Sequence, residues 1–373
     1  MDINRLRINF ITCSCHLTGG NRVVMECING LAKLGHKVSL ITLGSPKDLS
    51  WIDLNADVYF VKKTFLQKIV SFLYRKVFGY DAFPEEETKK ILKILPESDI
   101  NVATISYLGY VSSRAMIGMP FHYFMHYEPY VRDEGYKKRI IEEAYYLPTK
   151  KIVNSTWVKN TIKKETDQDV EGIVLPAIDH NVFYPRKEKK PCDKSKKIKI
   201  VSLVKHKEWK GVPDALRAID MVRKRGYDIE FLGFGPQFTK DMLPDDVKDI
   251  DFTCVGFKAN EELAEFYSDA DIVVSTSFFE SFPLPQLEAM TCGTPVVTTK
   301  YGTEDYAVDG ENSFVVEPKK PELVADAIVK LIESKDIYIK FSENGIKTAK
   351  KFTWDQAADQ MEKIFLNAVS KKK

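Results

Sequence analysis

The pattern of apolar and polar positions at the start of the chain changes from that of a strand to that of a helix and back to that of a strand. "LRINFIT" (6–12) is a short apolar run typical of a buried strand, and "NRVVMECINGLAKLG" (21–35) has the spacing of an amphipathic helix that ends at Gly35. "HKVSLITLG" (36–44) predicts a second strand. A strand, a helix and a strand in this order predict a parallel βαβ unit.

The same order returns farther along the chain. "KIVSLV" (199–204), "VPDALRAIDMVRKRG" (212–226) and "YDIEFLGFG" (227–235) repeat the plan, with Gly226 in the place of Gly35. Further strands are predicted at "INVATISY", "FHYFMHY", "KKIVNST", "GIVLPA", "DFTCVGF", "DIVVSTS" and "TPVVTTK". Helices such as "NEELAEFYSD" and "PELVADAIVKLIESK" alternate with them. We therefore expect an α/β protein with two doubly wound, Rossmann-like units.

The segment "PRKEKKPCDKSKKIKI" (185–200) separates the two halves and is crowded with lysine. This composition is typical of a solvated linker, and a basic docking patch is the alternative. It predicts a first domain over 1–184 and a second over 185–353. A final helix, about 354–373, is expected to pack back on the first domain. The apolar positions of "FTWDQAADQMEKIFLNAV" are Phe352, Ala357, Met361, Phe365 and Ala368.

Composition narrows the class of protein. The 373 residues are 44% hydrophobic and 29% charged with a formal charge of +2, which suits a globular chain and disfavours disorder or extensive nucleic-acid binding. The scattered cysteines favour a reducing compartment, and Cys13, Cys15 and His16 lack a fourth metal ligand at a familiar spacing. No run reaches the roughly 18 apolar residues of a membrane span, and the N-terminal apolar run is too short for a signal peptide. We expect a cytoplasmic protein.

One segment is compatible with peripheral binding to a membrane. "VYFVKKTFLQKIVSFLYRKVFGY" (58–80) contains five basic residues and no acidic one, interleaved with aromatic residues. At helical spacing this pattern suits the anionic inner face of a membrane. It equally suits an ordinary helix whose aromatic stripe packs on the first sheet.

Two carboxylates flank a proline-containing turn in "SFFESFPLPQLEAM" (277–290). Glu280 follows a predicted strand, Pro283 and Pro285 fix the loop, and Glu288 is expected in the first turn of the next helix. Ligands of open α/β sheets collect at this edge, where helix N–H groups face anions. The arrangement suits a diphosphate flanked by hydroxyl groups, as in a nucleotide sugar. The alternative is an ordinary loop carboxylate followed by a helix N-terminal charge.

Two further features occupy matching turns of the two halves. Gly19 and Gly20 lie at the first strand-to-helix turn, where glycine lets the backbone approach a phosphate closely. Lys205 and Lys210 lie at the equivalent turn of the second half, in "VKHKEWKG", and offer positive charge to the same diphosphate.

On these residues the chain resembles the retaining nucleotide-sugar glycosyltransferases of family four, which have the GT-B fold of two Rossmann-like domains and an inter-domain cleft. "TGGNRVV" with "LAKLGHKVSLIT" is similar to the family's opening, and "LPAIDHNVFYP" to the end of its first domain. The long stretch from "CVGFKANEELAEFYSD" through "FFESFPLPQLEAMTCGTPVV" to "ENSFVV" is similar to its second-domain signature.

The resemblance implies roles for particular residues. Glu280 would contact the hydroxyls of the donor sugar, Glu288 would hold the ribose, and His126 would lie near the reacting carbon. The diphosphate and sugar would be bound by Gly19, Gly20, Lys205, Lys210 and the amides of Ser281, Phe282 and Leu284; the base would lie by Phe257 and Lys258. The chain departs from the family's pattern at Ser281 and Pro283, at Lys205 where arginine is usual, and at Tyr127 to Pro129 after His126.

The implied activity is a retaining, metal-independent transfer of a sugar from a nucleotide-diphosphate sugar to a glycan, lipid-linked or other hydroxyl acceptor. Polysaccharide or glycoconjugate synthesis would be its setting, with no cofactor and with the first domain binding the acceptor. A non-catalytic sugar-nucleotide-binding subunit and a GT-B sugar-nucleotide epimerase are the alternatives. A nicotinamide oxidoreductase is disfavoured because "GFGPQF" lacks the third glycine of the dinucleotide motif.

Overall fold

A computed structural model describes residues 5–61, 69, 84–131, 136–236 and 238–371. The chain divides into two compact units. The first unit comprises residues 1–176 together with 354–373, and the second comprises residues 177–353.

Parallel strands form the centre of the first unit. Its described part contains a seven-stranded sheet in the order β3-β2-β1-β4-β5-β6-β7. The strands are β1 (Arg7–Thr12), β2 (Lys37–Thr42), β3 (Asp57–Phe60), β4 (Ile100–Ala103), β5 (Met119–Phe124), β6 (Lys150–Val153) and β7 (Gly172–Ile173). The helices between them are α1 (Gly19–Lys33), α2 (Pro84–Ile94), α3 (Gly109–Arg114), α4 (Tyr136–Ala144) and α5 (Thr156–Thr166).

The second unit is built in the same way. Its six-stranded parallel sheet has the order β10-β9-β8-β11-β12-β13. The strands are β8 (Ile198–Leu203), β9 (Ile229–Phe234), β10 (Thr253–Cys254), β11 (Ile272–Val274), β12 (Val296–Thr299) and β13 (Phe314–Val316). The helices are α6 (Val212–Lys224), α7 (Asn260–Asp269), α8 (Leu284–Thr291), α9 (Pro321–Glu333) and α10 (Lys335–Ala349).

Both sheets reverse their strand order at one point. The reversal lies between β1 and β4 in the first unit and between β8 and β11 in the second. Crossovers on opposite sides of such a point leave a crevice at the carboxyl ends of the strands, which is where Rossmann-like folds bind ligands. The prediction of two Rossmann-like units is confirmed.

The local signals in the sequence explain why α1 begins and ends where it does. Thr18 caps its N-terminus by accepting a hydrogen bond from Asn21 N, and Gly35 follows its end with a φ of +94°. Its apolar face is buried from Val23 to Leu31. The buried β1 run from Ile8 to Ile11 supplies the sheet core on which such a face packs.

The segment 185–200, expected to be a solvated linker between the two halves, lies inside the second unit, and its first part contacts α7. Arg186 pairs with Glu261, and Lys187 pairs with Asp269 over 2.5 Å. Lys189 Nζ donates to the carbonyls of Ser268 (2.7 Å) and Ala270 (2.5 Å), and burial lowers its pKa to about 8. Long lysine side chains can bury their stems while their ammonium groups find acceptors, so a basic composition does not require a solvated segment.

Helix α11 (Trp354–Ser370) belongs to the first unit. Its buried positions include Ala357, Met361, Phe365 and Ala368, and the Phe365 ring meets that of Phe121 at 4.9 Å. The fifth apolar position that the sequence placed on this face, Phe352, lies before the helix and in the second unit.

Within the described ranges, no helix combines the length and the hydropathy that crossing a bilayer requires. Most of the basic aromatic segment 58–80 lies outside these ranges, which include only residues 58–61 and 69 of it. Its membrane contact stays a prediction.

Candidate functional site

Two loops meet at the carboxyl edge of the second sheet, at its reversal point. One is the β8–α6 turn, and the other joins β11 to α8. Phe278 N donates to Trp209 O (2.6 Å), and Thr276 Oγ1 donates to Gly211 O (2.7 Å). Gly211 has a φ of +61°, and a Cβ there would lie 2.1 Å from Thr276 O. Glycine is therefore needed at position 211 for the two loops to approach this closely.

A third loop, after β12, closes the same edge. Glu280 N donates to Tyr301 O over 3.0 Å. A Cβ at Gly302, whose φ is +93°, would lie 2.2 Å from Glu280 O. This one loop thus meets both the N–H and the carbonyl of Glu280, which fixes where its side chain starts.

The Glu280 carboxylate accepts two hydrogen bonds on one oxygen. Lys210 Nζ lies 2.5 Å from Glu280 Oε1, and Ser277 Oγ donates to the same atom over 2.7 Å. The side chains of Lys210 and Glu280 are only 14% and 13% exposed. Two charges this far from water interact more strongly than a surface pair, and their geometry is correspondingly defined.

Lys205 adds a second cation to this cluster. Burial lowers its pKa, the neighbouring Lys210 charge lowers it further, and Glu280 acts in the opposite direction. Within the part of the chain that the structure describes, no carboxylate forms an ion pair with Lys205. The cluster therefore holds two lysines and one carboxylate, a net positive charge in a partly desolvated position. Such an arrangement attracts an anion.

Backbone N–H groups extend this positive edge. None of the hydrogen bonds between described residues uses the N–H groups of Ser281, Phe282 or Leu284. Leu284 is the first residue of α8, so these donors lie at the helix N-terminus. The Phe282 ring is buried against Tyr306 at 5.3 Å, which leaves its main chain as the part available to a ligand.

The sequence predicted Glu288 in the first turn of the helix, and this prediction is wrong. The helix begins at Leu284 with Pro283 as its N-cap, which makes Glu288 the fifth residue. Pro285 occupies the second helical position rather than the first, and the helix therefore starts earlier than the proline suggested. Glu288 is 5% exposed, and Tyr267 Oη lies 3.5 Å from its Oε2. Glu288 is therefore a buried carboxylate inside the helix, and the alternative of an ordinary charge at the helix N-terminus is wrong.

Phe257 and Lys258 follow β10, which β9 separates from β8. The Phe257 side chain is 60% exposed, a large solvent-facing ring at the carboxyl edge of the sheet. Lys258 Nζ contacts Glu262 Oε1 at 2.5 Å and lies over the Phe266 ring. These contacts of Lys258 are with α7.

In the first unit, the start of α1 lies near the residue that precedes His126. Gly19 and Gly20 open α1, and a Cβ at Gly20 would lie 3.9 Å from Met125 Cε, next to His126. At Gly19 a Cβ would meet no described atom within 4 Å. Packing alone therefore does not require glycine at either position, which leaves room for a ligand at this turn.

His126 lies on the loop after β5. Its ring meets Trp157 edge to face at 6.1 Å, and its carbonyl accepts a hydrogen bond from Tyr145 Oη at 3.2 Å. Glu128 accepts from both the N–H and the hydroxyl of Ser106 at 2.8 Å. The loops after β4 and β5 are thereby joined next to His126.

No group of three or more His, Cys, Asp or Glu side chains in the described ranges could hold a metal ion. The Cys15 thiol, which the sequence considered as a ligand, donates to Thr42 Oγ1 at 3.0 Å.

Sequence reasoning missed Ser277, Tyr301 and Gly302. The serine precedes Glu280 by three residues on one loop, a spacing that could have suggested its bond. The other two lie on a separate loop, after β12, and their approach depends on the tertiary fold.

Residues 195–334, which contain the lysine and carboxylate cluster, match the family described as Glycosyl transferases group 1. The matched segment contains Lys205, Lys210, Glu280 and Glu288.

Curated relatives match parts of the chain. The D-inositol 3-phosphate glycosyltransferase of Corynebacterium jeikeium (strain K411) is 42% identical over 30% of this chain and 28% of its own length. The poly(glycerol-phosphate) alpha-glucosyltransferase of Bacillus subtilis (strain 168) is 29% identical over 52% of this chain and 32% of its own. The chain thus spans about a third or less of these two relatives.

Solved structures match almost the whole chain in fold. Anabaena HepE in complex with UDP and glucose has a TM-score of 0.75 at 14% identity, covering 96% of this chain and 98% of that one. Sucrose-phosphate synthase from Thermosynechococcus elongatus has a TM-score of 0.70 at 17% identity, covering 98% and 99%. These likenesses confirm the predicted GT-B fold class.

Proposed function

We propose that the protein is a glycosyltransferase that moves a sugar from a nucleotide-diphosphate sugar to a hydroxyl acceptor. The observation that carries the proposal is the cluster of Lys205, Lys210 and Glu280 at the reversal point of the second sheet, inside the segment that matches Glycosyl transferases group 1. It offers positive charge to a diphosphate and a carboxylate to sugar hydroxyls within one small region.

The difficult step is cleavage of the bond between the anomeric carbon and the diphosphate. Negative charge grows on the phosphate oxygens as this bond breaks. Lys205, Lys210 and the N–H groups at the start of α8 are suited to receiving it, and one such donor typically contributes on the order of 3 kcal/mol. The carboxylate of Glu280 suits hydrogen bonds from hydroxyl groups of the departing sugar.

We further propose that the reaction needs no bound metal and retains the anomeric configuration. The two lysines supply the charge neutralisation that a divalent cation would otherwise give. His126 and the turn of Gly19 and Gly20 are proposed to act in the transfer, and the first unit would bind a glycan or lipid-linked acceptor. Activity in the presence of a chelator and the configuration of the product, by NMR, test these two statements.

The donor is tested by thermal shift with a panel of UDP-, GDP-, ADP- and dTDP-sugars. A ligand at a hundredfold excess over its dissociation constant stabilises the folded state by roughly 3 kcal/mol. Lys205→Ala should reduce that shift strongly, because it removes a desolvated cation beside the diphosphate. Lys207→Ala is the matched control, since this exposed lysine lies on the same turn with its ammonium over the Trp209 ring.

Transfer activity separates an enzyme from a non-catalytic binding subunit. Glu280→Ala and Lys210→Ala should each lower kcat/KM by about a hundredfold or more while circular dichroism shows that both variants remain folded. Full activity in both variants contradicts the site assignment. Donor binding without any transfer supports the binding subunit instead.

A further inference from the structure

Ser277 gives the Glu280 carboxylate a second, uncharged donor. The Ser277 side chain is buried, with 4% of the residue exposed, and its hydroxyl lies 2.7 Å from the Glu280 oxygen that Lys210 also contacts. Its main chain is held on the far side, because Ser277 O accepts a hydrogen bond from Thr299 Oγ1 at 2.5 Å. The position of this hydroxyl is therefore set by β12 and its own loop, independently of Lys210.

The lysine is a less constant partner. Lys210 pairs with the Glu280 carboxylate and is repelled by the charge of the partly desolvated Lys205. A diphosphate at this edge carries more negative charge than one carboxylate, and the flexible lysine stem lets the ammonium follow it. Glu280 would then keep its place only through donors that remain, because a carboxylate this far from water is costly to leave without them.

We propose that Ser277 is a positioning residue, whose hydroxyl holds the Glu280 carboxylate towards the sugar of the donor when the diphosphate attracts Lys210. The inference rests on the proposed function, since it places a nucleotide sugar beside Glu280. It separates two tasks in the cluster: lysine neutralises the phosphates, and serine orients the carboxylate.

Binding measurements test this without requiring turnover. Dissociation constants are measured by calorimetry for UDP, GDP, ADP and dTDP and for their glucose or mannose conjugates. For the nucleotide and conjugate that bind, Ser277→Ala should lower the affinity for the sugar conjugate about tenfold. The affinity for the free nucleoside diphosphate should equal that of the wild type, because the lost hydrogen bond positions only the carboxylate that contacts the sugar.

Two further variants make the test specific. In a Glu280→Ala background, Ser277→Ala should change the binding of the conjugate by less than about twofold, because the serine acts only through the carboxylate. Ser275→Ala is the matched control. It lies on the same loop, its N–H donates to Val297 O, and its hydroxyl forms no hydrogen bond with another described residue.

Several results would overturn the inference. Wild-type affinity for the conjugate in Ser277→Ala would do so, as would an equal loss for nucleoside diphosphate and conjugate, which indicates a general structural effect. An undiminished effect in the Glu280→Ala background would show that the serine does not act through Glu280. If the wild type binds none of the panel, the proposed function itself fails, and this outcome is distinct from the others.

Discussion

At the scale of single residues, Gly211 decides whether the cluster can form. Gly211→Ala places a Cβ 2.1 Å from Thr276 O in a left-handed backbone, so one of the two loops must move. We expect a loss of roughly 2 to 4 kcal/mol in the free energy of unfolding and weaker binding of nucleotide sugars. Urea denaturation and calorimetry measure the two effects.

Gly226→Ala is the control for this change. Gly226 also has a positive φ, +93°, but a Cβ there would meet no described atom within 4 Å. Only the backbone strain applies, about 1 kcal/mol. Equal losses in the two variants would mean that loop contact at position 211 adds nothing.

His122 should make stability depend on pH. Its imidazole is fully buried against Phe124 and Gly109, and burial, with a smaller effect of Lys151, lowers its pKa from 6.5 to about 3. The unfolded chain therefore binds more protons than the folded protein between these values. Stability from this group is complete above about pH 6.5 and falls by up to roughly 1.4 kcal/mol per pH unit below it.

His122→Leu should remove this part of the pH dependence. Urea unfolding at about pH 7.5, 6.5, 5.5 and 5.0 measures the difference in the free energy of unfolding between variant and wild type. The exposed His16→Gln variant should keep the wild-type slope. A parallel pH profile for His122→Leu would contradict the assigned cause.

The candidate site was predictable in its residue types but not in its contacts. Lys205, Lys210 and Glu280 could be selected because charged residues follow predicted strands. The bond from Ser277 and the approach of Gly302 could not, because they depend on the distance between loops. Glu288 was misplaced in its helix because proline tolerates more than one position at a helix start.

At the scale of elements, Lys189 ties its segment to the end of α7. Its ammonium donates to the carbonyls of Ser268 and Ala270, which have no donors further along the helix. Lys189→Met should lower the free energy of unfolding by about 1 to 3 kcal/mol, since the stem is replaced and the hydrogen bonds are lost.

The neighbouring Lys190 provides the control, because it is exposed. Lys190→Met should change the free energy of unfolding by less than about 0.5 kcal/mol in the same urea experiment. If both variants behave alike, the contacts of Lys189 do not stabilise the helix end.

Long periodic elements were predicted well and short ones poorly. The helix over 260–269 matches α7 at both ends, since apolar spacing and flanking polar residues define it. The edge strand β3 was missed because only four residues form it and none is buried. Residues 185–192 were expected to separate the units but lie inside the second one, because Arg186 and Lys187 pair with carboxylates of α7 that the sequence does not display as partners.

At the scale of the whole molecule, the two units have separate cores. Phe365 is buried in the first and Phe341 in the second, at 0% and 1% exposure. Phe365→Ala should destabilise by about 3 to 5 kcal/mol and lower the unfolding temperature of the first unit. Phe341→Ala should do so for the second.

Scanning calorimetry with and without a bound nucleotide sugar distinguishes the units. The transition that the ligand raises should be the one that Phe341→Ala lowers, because the lysine and carboxylate cluster lies in the second unit. If both variants lower one common transition to the same extent, the units unfold together and the expectation is wrong.

Helix α11 follows the second unit in the chain but packs in the first, where a Cβ on Gly30 of α1 would lie 2.5 Å from the Cβ of Ala358. The N-terminal part of a chain leaves the ribosome first, and domains generally fold as units as they emerge. Residues 177–353 are contiguous and can complete their core during synthesis, whereas the earlier unit must wait for residues 354–370. The unit made first is therefore the one finished last, and in nascent chains its exposed α1 face would be the natural place for a chaperone to bind.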